Sequence, residues 1–388
     1  MKILIASDVN KYYMSGVAGV VKLLTESLQE LGHDVKVLTL SNTGRSFKEE
    51  NEYYIASFHV PIYPDLRYTF LRRHKYIDEL ISWRPDIIHT QSEGAVAEMS
   101  RRISKKTGAP VVMTMHSDYP QFFFGAHYDS WYSHLFIKPL LMWAYRGVNT
   151  MITPSEKAKK LLLEYRPDKD VRVIANGIKL DCFRKSPTEK ERLETLSSLG
   201  FKENDTILVT VSRLSKEKKI DELIRFFPGL LKHRPDLKLL IVGNGPDRAR
   251  LEKLVIKEKI EKNTRFAGRI EHDELYRYYK SAKVFVCASD YETQGLTYIE
   301  SMACGIPSVC RDDAALNGII TDGLDGFLYK TEDEFAEKVL RLLDDSGVYN
   351  KTAENALAQS YRFDDLTASA NLVTLYEEII EGKPLIKG

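Results

Sequence analysis

Short β-rich runs alternate with amphipathic helical stretches along this chain, and the whole pattern occurs twice. The strand candidates of the first half are KILIAS, DVKVLTL, DIIHTQ, PVVMTMH, TMITPS and VRVIAN, and those of the second half are TILVTVS, LKLLIVG, TRFAG, KVFVCAS and PSVCR. Parallel strands need long connections, which are usually helical, so this alternation predicts parallel sheets covered by helices. We therefore expect an α/β protein with two Rossmann-like domains that face each other across a cleft.

A polar, charged segment around residues 186–205 separates the two halves. It predicts one domain at residues 1–185 and a second at residues 186–388. Domains usually hold about 100–200 residues, so two of them suit a chain of this length. The last helix, expected at about 364–381, can cross back to the first domain.

Composition and charge argue against several classes of protein. A net charge of +1 is not typical of a nucleic-acid binder. No stretch approaches the ~18–20 uninterrupted apolar residues of a membrane span, and the apolar run in MKILIASDVN is too short for a signal peptide. The four cysteines lack C-x-x-C spacing, which favours reduced thiols in a cytoplasmic protein. No metal-ligand cluster is visible in the sequence.

Ligands of open α/β sheets bind beyond the carboxyl ends of the strands, and two strands of the first half end in unusual residues. Ser15, Gly16 and Gly19 follow the first strand, where bare backbone amides can meet an anion at a helix start. A tight turn without a ligand explains the same glycines. The strand PVVMTMH ends at His116, followed by Asp118, and both can position hydroxyls or share a proton. A structural histidine is the alternative.

Cations and a tight turn follow two strands of the second half. Arg213 and Lys218 come after TILVTVS and suit a diphosphate, Arg213 by its planar fork and Lys218 as a point charge. The alternative is a basic surface loop, because Lys216 and Lys219 lie there too. After LKLLIVG, Asn244 opens a turn that either allows a ligand to approach the backbone or is simple turn chemistry.

Two glutamates, Glu292 and Glu300, flank a predicted helix start in the stretch YETQGLTYIE. Gly295, Leu296 and Thr297 begin that helix, and their amides can hold an anion. Carboxylates accept hydrogen bonds from vicinal hydroxyls, each worth roughly 1.5–3 kcal/mol. One glutamate can therefore hold a sugar ring and the other a ribose, with a diphosphate between them. A capping glutamate and an unrelated helix glutamate form the simpler alternative.

Taken together, these motifs resemble the retaining glycosyltransferases of the GT-B fold, in the large family with an E-x7-E motif. The matching elements occur in family order along nearly the whole chain: the Gly16 loop, His116, Asn176–Ile178 with Phe183, Arg213 with Lys218, G-N-G-P at 243–246, Glu292 with Glu300, and M-A-C-G-I-P at 302–307.

The resemblance implies a role for each matching residue. Gly16, Asn244 and the amides of Gly295, Leu296 and Thr297 would bind the donor, with Gly16 and the three amides near its diphosphate. Arg213 and Lys218 would neutralise the departing diphosphate. Glu292 would hold hydroxyls of the transferred sugar, Glu300 the ribose, and the backbone at Arg269 and Ile270 the base. His116 would contact the donor sugar from the first domain.

The resemblance also implies chemistry that keeps the anomeric configuration and needs neither a metal nor a cofactor. Gln294 stands where many members have phenylalanine, and this variant, with SGVAGVV and H-S-D-Y, resembles the bacterial diacylglycerol α-glucosyltransferases, which use UDP-glucose. The expected activity is transfer of glucose from UDP-glucose to a diacylglycerol-type lipid. Alternatives are a polysaccharide, protein or small polyol acceptor, a sugar-nucleotide epimerase, or a non-enzymatic nucleotide-sugar sensor.

Aromatic and basic side chains are crowded in two segments of the first half, residues 66–84 and 119–145. Arg72, Arg73 and Lys75 lie in the first segment, and Tyr119, assigned with Asp118 to the acceptor side, begins the second. Such mixtures suit a lipid headgroup interface, so we expect a cytoplasmic protein peripherally bound to the inner face of the cell membrane. The alternative is that these helices pack the first domain and show a basic face.

Overall fold

The computed structural model describes residues 1–12, 16–60, 67–71, 73–116, 139, 141–166, 168–290 and 292–382. The chain forms two compact units, Met1–Ile178 with Asp365–Gly388, and Lys179–Asp364. Each unit is a Rossmann-like α/β domain, so the predicted fold class is confirmed. The chain passes from the first unit to the second after Ile178, earlier than the predicted division at 185/186, and the last helix belongs to the first unit.

The strands and helices of the described residues follow the predicted alternation. The strands are β1 (Lys2–Ser7), β2 (Asp34–Leu40), β3 (Phe47–Glu49), β4 (Glu52–Ile55), β5 (Phe58–His59), β6 (Arg67–Tyr68), β7 (Ile87–Thr90), β8 (Val111–Thr114), β9 (Thr150–Thr153), β10 (Asp170–Val173), β11 (Thr206–Val211), β12 (Leu237–Val242), β13 (Thr264–Gly268), β14 (Val284–Cys287), β15 (Ser308–Arg311) and β16 (Phe327–Tyr329). The helices are α1 (Gly16–Glu30), α2 (Lys75–Trp83), α3 (Ala95–Thr107), α4 (Glu156–Tyr165), α5 (Asp181–Arg184), α6 (Glu189–Ser198), α7 (Ile220–His233), α8 (Arg248–Lys257), α9 (Leu275–Lys280), α10 (Leu296–Ala303), α11 (Glu332–Asp344), α12 (Ser346–Ser360) and α13 (Asp365–Ile380).

The first unit is built on a sheet with the strand order β10-β9-β8-β7-β1-β2-β4-β3. Its strands pair in parallel, except that β3 runs antiparallel to β4. Helices cover both faces. Leu28 of α1 and Leu372 of α13 pack on one face, and Ile77 of α2 and Ile103 of α3 pack on the other. A sheet buried on both faces explains why its central strands are nearly continuous apolar runs.

The second unit is built on a parallel sheet with the order β13-β12-β11-β14-β15-β16. Its core includes side chains of α7, α8 and α11, such as Phe227, Leu251 and Phe335. Because β13, β12, β11 and β14 are consecutive neighbours, their carboxyl ends lie side by side at one edge. The loops that follow these strands carry most of the candidate residues of the second half.

The start of α1 differs from the sequence-based expectation. Gly16 and Gly19 do not lie in a loop before the helix, because α1 begins at Gly16 and continues to Glu30. Leu31 lies beyond the end of this helix and is exposed. Among the described residues, no helix combines the length and the apolar character that crossing a bilayer requires.

Candidate active site

Lys218 and Glu292 form an ion pair after two neighbouring strands of the second sheet. The loops after β11 and β14 bring Lys218 Nζ to 2.6 Å from Glu292 Oε1, although 74 residues separate them in sequence. Their side chains are only 21% and 14% exposed, so this pair is better shielded from water than most surface ion pairs. Lys219 forms a second ion pair, with Asp290, between the same two loops. Of the cations and carboxylates singled out in the sequence, the structure therefore brings Lys218 and Glu292 together.

Gly295 shapes the turn that places Glu292 beside the start of α10. Its φ of +75° lies in the left-handed region, and a Cβ there would stand 2.3 Å from the ring of buried Tyr298. The same Cβ position is 3.4 Å from Glu292 Cγ, so carboxylate and helix start are adjacent. The first amides of a helix have no partner within the helix and carry partial positive charge. The turn therefore places the amino end of α10 next to a charge pair.

Arg213 follows β11 and is exposed. Among the described residues, no carboxylate lies within ion-pair distance of its guanidinium. The backbone around it is held by the G-N-G-P turn after β12: Leu214 donates to the carbonyl of Asn244 at 3.0 Å. A Cβ at Gly245 would lie 2.2 Å from the Leu214 carbonyl oxygen, so this glycine is needed for backbone packing. The exposed Asn244 side chain accepts a hydrogen bond from the Gly245 amide at 2.9 Å.

Glu300 lies in α10, beyond the turn that carries Glu292. Its carboxylate is buried, and two side chains contact it. Tyr279 donates its hydroxyl to Glu300 Oε2 at 2.8 Å, and His272 Nε2 lies 3.5 Å from Glu300 Oε1. Phe183 packs edge-on against His272, with ring centroids 5.1 Å apart. Burial and the neighbouring Glu300 raise the pKa of Tyr279 well above its usual value, so its hydroxyl stays a donor. These partners of Glu300 were missed in the sequence because no spacing links them.

The Glu300 carboxylate raises the pKa of His272 above the usual 6.5, and Asp273 adds to this effect. A raised folded-state pKa means that the imidazolium stabilises the fold: the contribution is complete below the usual pKa and is lost as pH rises through the raised value. We therefore expect the stability lost in His272→Gln to be larger at pH 6 than at pH 8. Urea denaturation at both pH values measures this difference.

His33→Gln provides the contrasting case for that measurement. Burial and the nearby amino terminus lower the pKa of His33, so its neutral form is favoured in the folded state and its contribution grows as pH rises. The stability lost in this variant should therefore be larger at pH 8 than at pH 6. An equal loss at both pH values in His272→Gln would contradict the proposed contact with Glu300.

Arg269 and Ile270 follow β13, the outermost of the four neighbouring strands. Arg269 is exposed and Ile270 is half-buried. Both line a cavity of about 360 Å³ together with Glu274 and Tyr278. The Gly268 carbonyl accepts a hydrogen bond from the Gly243 amide at 2.8 Å, which ties this loop to the G-N-G-P turn.

The first unit contributes fewer described candidates. His116 follows β8, and its Nε2 lies 2.6 Å from Gln91 Oε1, while burial lowers the pKa of the imidazole to about 4. A Cβ added at Gly16 would meet no described atom within 4 Å, so the start of α1 is open there. Arg73 and Lys75 are exposed. The remaining candidates, Arg72, Asp118 and Tyr119, lie outside the described residues.

One group of side chains has the composition of a metal site. Ligand atoms of Cys182, His272 and Asp273 lie within 4.8 Å of one another, and this grouping was not visible in the sequence because the residues come from distant segments. Asp273 is almost fully exposed, and His272 already contacts Glu300. Burial raises the pKa of the Cys182 thiol to about 11, which opposes the thiolate that metals bind. The contact with Glu300 accounts for His272 without a metal.

Comparison with known proteins shows the family to which the chain belongs. Residues 191–359 match the family described as Glycosyl transferases group 1, and residues 14–181 match Glycosyltransferase Family 4. Alpha-monoglucosyldiacylglycerol synthase of Streptococcus pneumoniae is 32% identical over 88% of this chain and 78% of its own length. The protein of that name from Acholeplasma laidlawii is 26% identical over 98% of both chains.

A solved structure shows the same fold. Anabaena HepE, crystallised in complex with UDP, superposes with a TM-score of 0.74 over 97% of this chain and 100% of its own, at 18% identity. The family matches cover most of both units, and the pneumococcal relative is similar along most of its length. This chain therefore belongs to the group 1 glycosyltransferases of the GT-B fold.

Proposed function

We propose that this protein transfers glucose from UDP-glucose to diacylglycerol or a closely related lipid and gives an α-glucosyl glycolipid. Two relatives that are similar over most of their length are named alpha-monoglucosyldiacylglycerol synthase, which supports this acceptor and this sugar. The observation that carries the proposal is the Lys218–Glu292 pair beside the amino end of α10. It combines a cation for a phosphate, an acceptor for sugar hydroxyls and the first amides of a helix in one place.

Donor binding would use the four neighbouring strand ends of the second unit. The diphosphate would lie against the first amides of α10, with Arg213 and Lys218 neutralising its charge. Glu292 would accept hydrogen bonds from hydroxyls of glucose, and Glu300 from those of the ribose. The backbone at Arg269 and Ile270 would contact the base. In the first unit, Gly16 is assigned to the diphosphate and His116 to the sugar.

The charge pair has a consequence for donor binding. Lys218 Nζ lies 2.6 Å from Glu292 Oε1. A diphosphate would compete for Lys218, and the sugar hydroxyls would supply hydrogen bonds to the carboxylate in place of part of that ion pair. Exchange of one partner for another inside a shielded site costs less than exposing either charge without a partner. Donor contacts can therefore replace the ion pair without leaving either charge unpartnered.

The proposed reaction is a substitution with retention at the anomeric carbon. The bond from this carbon to the diphosphate oxygen breaks through an oxocarbenium-like ion pair. The acceptor hydroxyl attacks on the face that the leaving group vacates, and its proton passes to an oxygen of the departing phosphate. Arg213 and Lys218 stabilise the negative charge that develops on the diphosphate, so catalysis consists mainly of positioning and electrostatic stabilisation. No metal is required in this scheme.

The lipid-facing surface that we propose is smaller than the segment indicated by the sequence. In α2, Ile77 and Leu80 are buried in the core, and Trp83 donates its indole N–H to Asp34 at 3.0 Å. The apolar face of this helix therefore packs the first unit and is not available to a membrane. For α2 this agrees with the alternative left open above, that the helix packs the first domain and shows a basic face.

The exposed apolar residues lie instead just before α2. Phe58 stacks on Phe70 with ring centroids 5.5 Å apart, and both rings contact Tyr68 edge-on. Phe70 is 75% exposed, an unusual position for a phenylalanine that has aromatic neighbours. We call Phe58, Tyr68 and Phe70 the aromatic tip. Together with exposed Arg73 and Lys75, the aromatic tip suits a lipid headgroup interface. We propose that it binds the protein peripherally to the cytoplasmic face of the cell membrane.

The activity can be tested directly. Purified protein is incubated with labelled UDP-sugars and extracted lipid, and the product is identified by mass and by anomeric NMR. We expect an α-linked glucosyl diacylglycerol. A β-linked product would overturn retention, and transfer to a polyol or polysaccharide but not to lipid would overturn the acceptor. Conversion of the donor with no acceptor present would indicate an epimerase.

Charge reversal at Arg73 and Lys75 is expected to weaken vesicle binding about tenfold or more, because each cation near an anionic surface contributes about 1 kcal/mol. Sedimentation with phosphatidylglycerol-containing vesicles at low salt measures this effect. The matched control reverses two exposed lysines of α8, Lys253 and Lys257, which gives the same change in net charge. Equal vesicle binding by both double variants would contradict a membrane role for the aromatic tip, whereas donor binding should be unchanged in each.

A further inference from the structure

A chain of hydrogen bonds runs from His116 through the interior of the first unit to the last helix. His116 Nε2 lies 2.6 Å from Gln91 Oε1, and Gln91 Nε2 lies 3.0 Å from His89 Nε2. His89 Nδ1 in turn lies 2.5 Å from the Tyr376 hydroxyl on α13. Thr114 Oγ1 is also 2.7 Å from His89 Nε2. These contacts join β7, β8 and α13 through side chains alone.

Every member of this chain beyond His116 is buried. His89 is 2% exposed, Gln91 and Thr114 are each 3% exposed, and Tyr376 is fully buried. Polar groups buried in this way cost free energy unless their hydrogen bonds are made. Apolar side chains would fill the same space without that cost. Stability alone therefore does not explain why these four positions are polar. Their common end point is His116.

The amide of Gln91 imposes a direction on the chain. An amide nitrogen only donates and an amide oxygen only accepts. His89 Nε2 must therefore be an acceptor, which leaves the hydrogen on Nδ1 to be donated to Tyr376. At the other end, Gln91 Oε1 requires a hydrogen on His116 Nε2, so Nδ1 of His116 is an acceptor in the neutral ring. Burial keeps both imidazoles neutral by lowering the pKa of His89 to about 3 and that of His116 to about 4.

We propose that Gln91 and His89 are positioning residues that set the ring orientation and the tautomer of His116, with Tyr376 fixing the far end of the chain. The proposal rests on the function proposed above, in which His116 contacts the donor sugar. A fixed acceptor nitrogen suits a ring that must receive a hydrogen bond from a sugar hydroxyl. A ring free to exchange tautomers would present a donor instead for part of the time. Removing the partners that orient metal-bound histidines typically costs about 10–100-fold in activity, and we expect an effect of that order for His116.

Gln91→Leu tests the proposal, because it removes both amide contacts while nearly keeping the side-chain volume. The full-length protein is labelled with ¹⁵N in its imidazoles, and His116 is assigned by comparison with His116→Ala. Wild-type His116 should show a single tautomer. In Gln91→Leu the two tautomers should mix, and kcat should fall about 10–100-fold with a smaller change in the KM for donor. The hydrogen of this single tautomer should lie on Nε2, and a wild-type ring with its hydrogen fixed on Nδ1 would overturn the acceptor role that the proposal gives to Nδ1.

Tyr376→Phe removes one hydroxyl at the far end and is the variant of choice if Gln91→Leu does not fold. This variant should shift the His89 signals. It should also mix the two tautomers of His116, but to a smaller extent than Gln91→Leu does. Tyr54→Phe is the matched control, since Tyr54 is equally buried in the same unit but contacts Glu52 and not this chain. An unchanged His116 tautomer in Gln91→Leu or in Tyr376→Phe would overturn the proposal. Because NMR needs no substrate, this result is independent of whether the assigned donor or acceptor is correct.

Discussion

Glu292→Ala is expected to lower turnover about 100-fold or more, as the loss of a transition-state contact typically does. The carboxylate is only 14% exposed and lies 2.6 Å from Lys218, where it can hold sugar hydroxyls as positive charge develops on the ring. Its removal also frees Lys218, which would then bind the diphosphate without competition. We therefore expect kcat to fall while the affinity for UDP stays equal or rises. Steady-state kinetics with UDP-glucose and calorimetric titration with UDP measure the two effects.

Glu203→Ala is the control for this variant. Glu203 lies on the surface of the same unit, where it forms an ion pair with Arg192. Its loss should leave turnover unchanged, and both variants should unfold at temperatures close to that of the wild type. Turnover near the wild-type value in Glu292→Ala would contradict the assignment of Glu292 to the hydroxyls of the transferred sugar. A parallel loss of turnover and thermal stability would show that the glutamate is structural.

Gly295→Ala is expected to lower the free energy of unfolding by about 2–5 kcal/mol. The left-handed backbone, with φ of +75°, costs a residue with a Cβ about 1–2 kcal/mol. The new Cβ would also stand 2.3 Å from the ring of Tyr298, which is fully buried and cannot swing away. Overpacking of this kind adds about 1–3 kcal/mol. Urea denaturation measures the sum, and UDP binding should weaken as the first turn of α10 shifts.

Gly305→Ala separates the two causes. Gly305 lies at the other end of α10 with a φ of +69°, but a Cβ there would meet no described atom within 4 Å. This variant should therefore show only the backbone cost of about 1–2 kcal/mol. The difference between the two variants measures the clash with Tyr298. Equal destabilisation by both would mean that the tight contact at Gly295 is unimportant and that the turn before α10 can relax.

The fold and the strand ends that carry the site could be predicted from sequence pattern. Parallel strands joined by helices place successive carboxyl ends at one edge, so Arg213, Asn244 and Glu292 were expected there before any contact was known, whereas Arg269 was assigned only through the family resemblance. The glycine between Glu292 and Glu300 was also informative. Only its positive φ and its distance from Tyr298 required the structure.

The partners of the site residues could not be predicted, because they depend on packing between distant segments. Nothing in the sequence links Lys218 to Glu292 in preference to Lys219, which pairs with Asp290. His272 and Tyr279 reach Glu300 only through the packing around α9 and α10. The sequence around α2 could not decide between a membrane-facing and a core-facing helix for a related reason. An apolar stripe with basic neighbours has the same pattern in both cases.

The position of α13 has a consequence for how the protein is made. Leu372, Leu375 and Tyr376 of α13 complete the apolar layer over β1, β2 and β7, and Asp365 donates its amide to the carbonyl of Ile178 at 3.1 Å. The ribosome completes residues 179–364 before it synthesises this helix. Part of the apolar core of the nascent amino-terminal half therefore stays exposed until α13 is made. Premature termination shortly before Asp365 should therefore expose this half to proteases and leave the inserted half resistant.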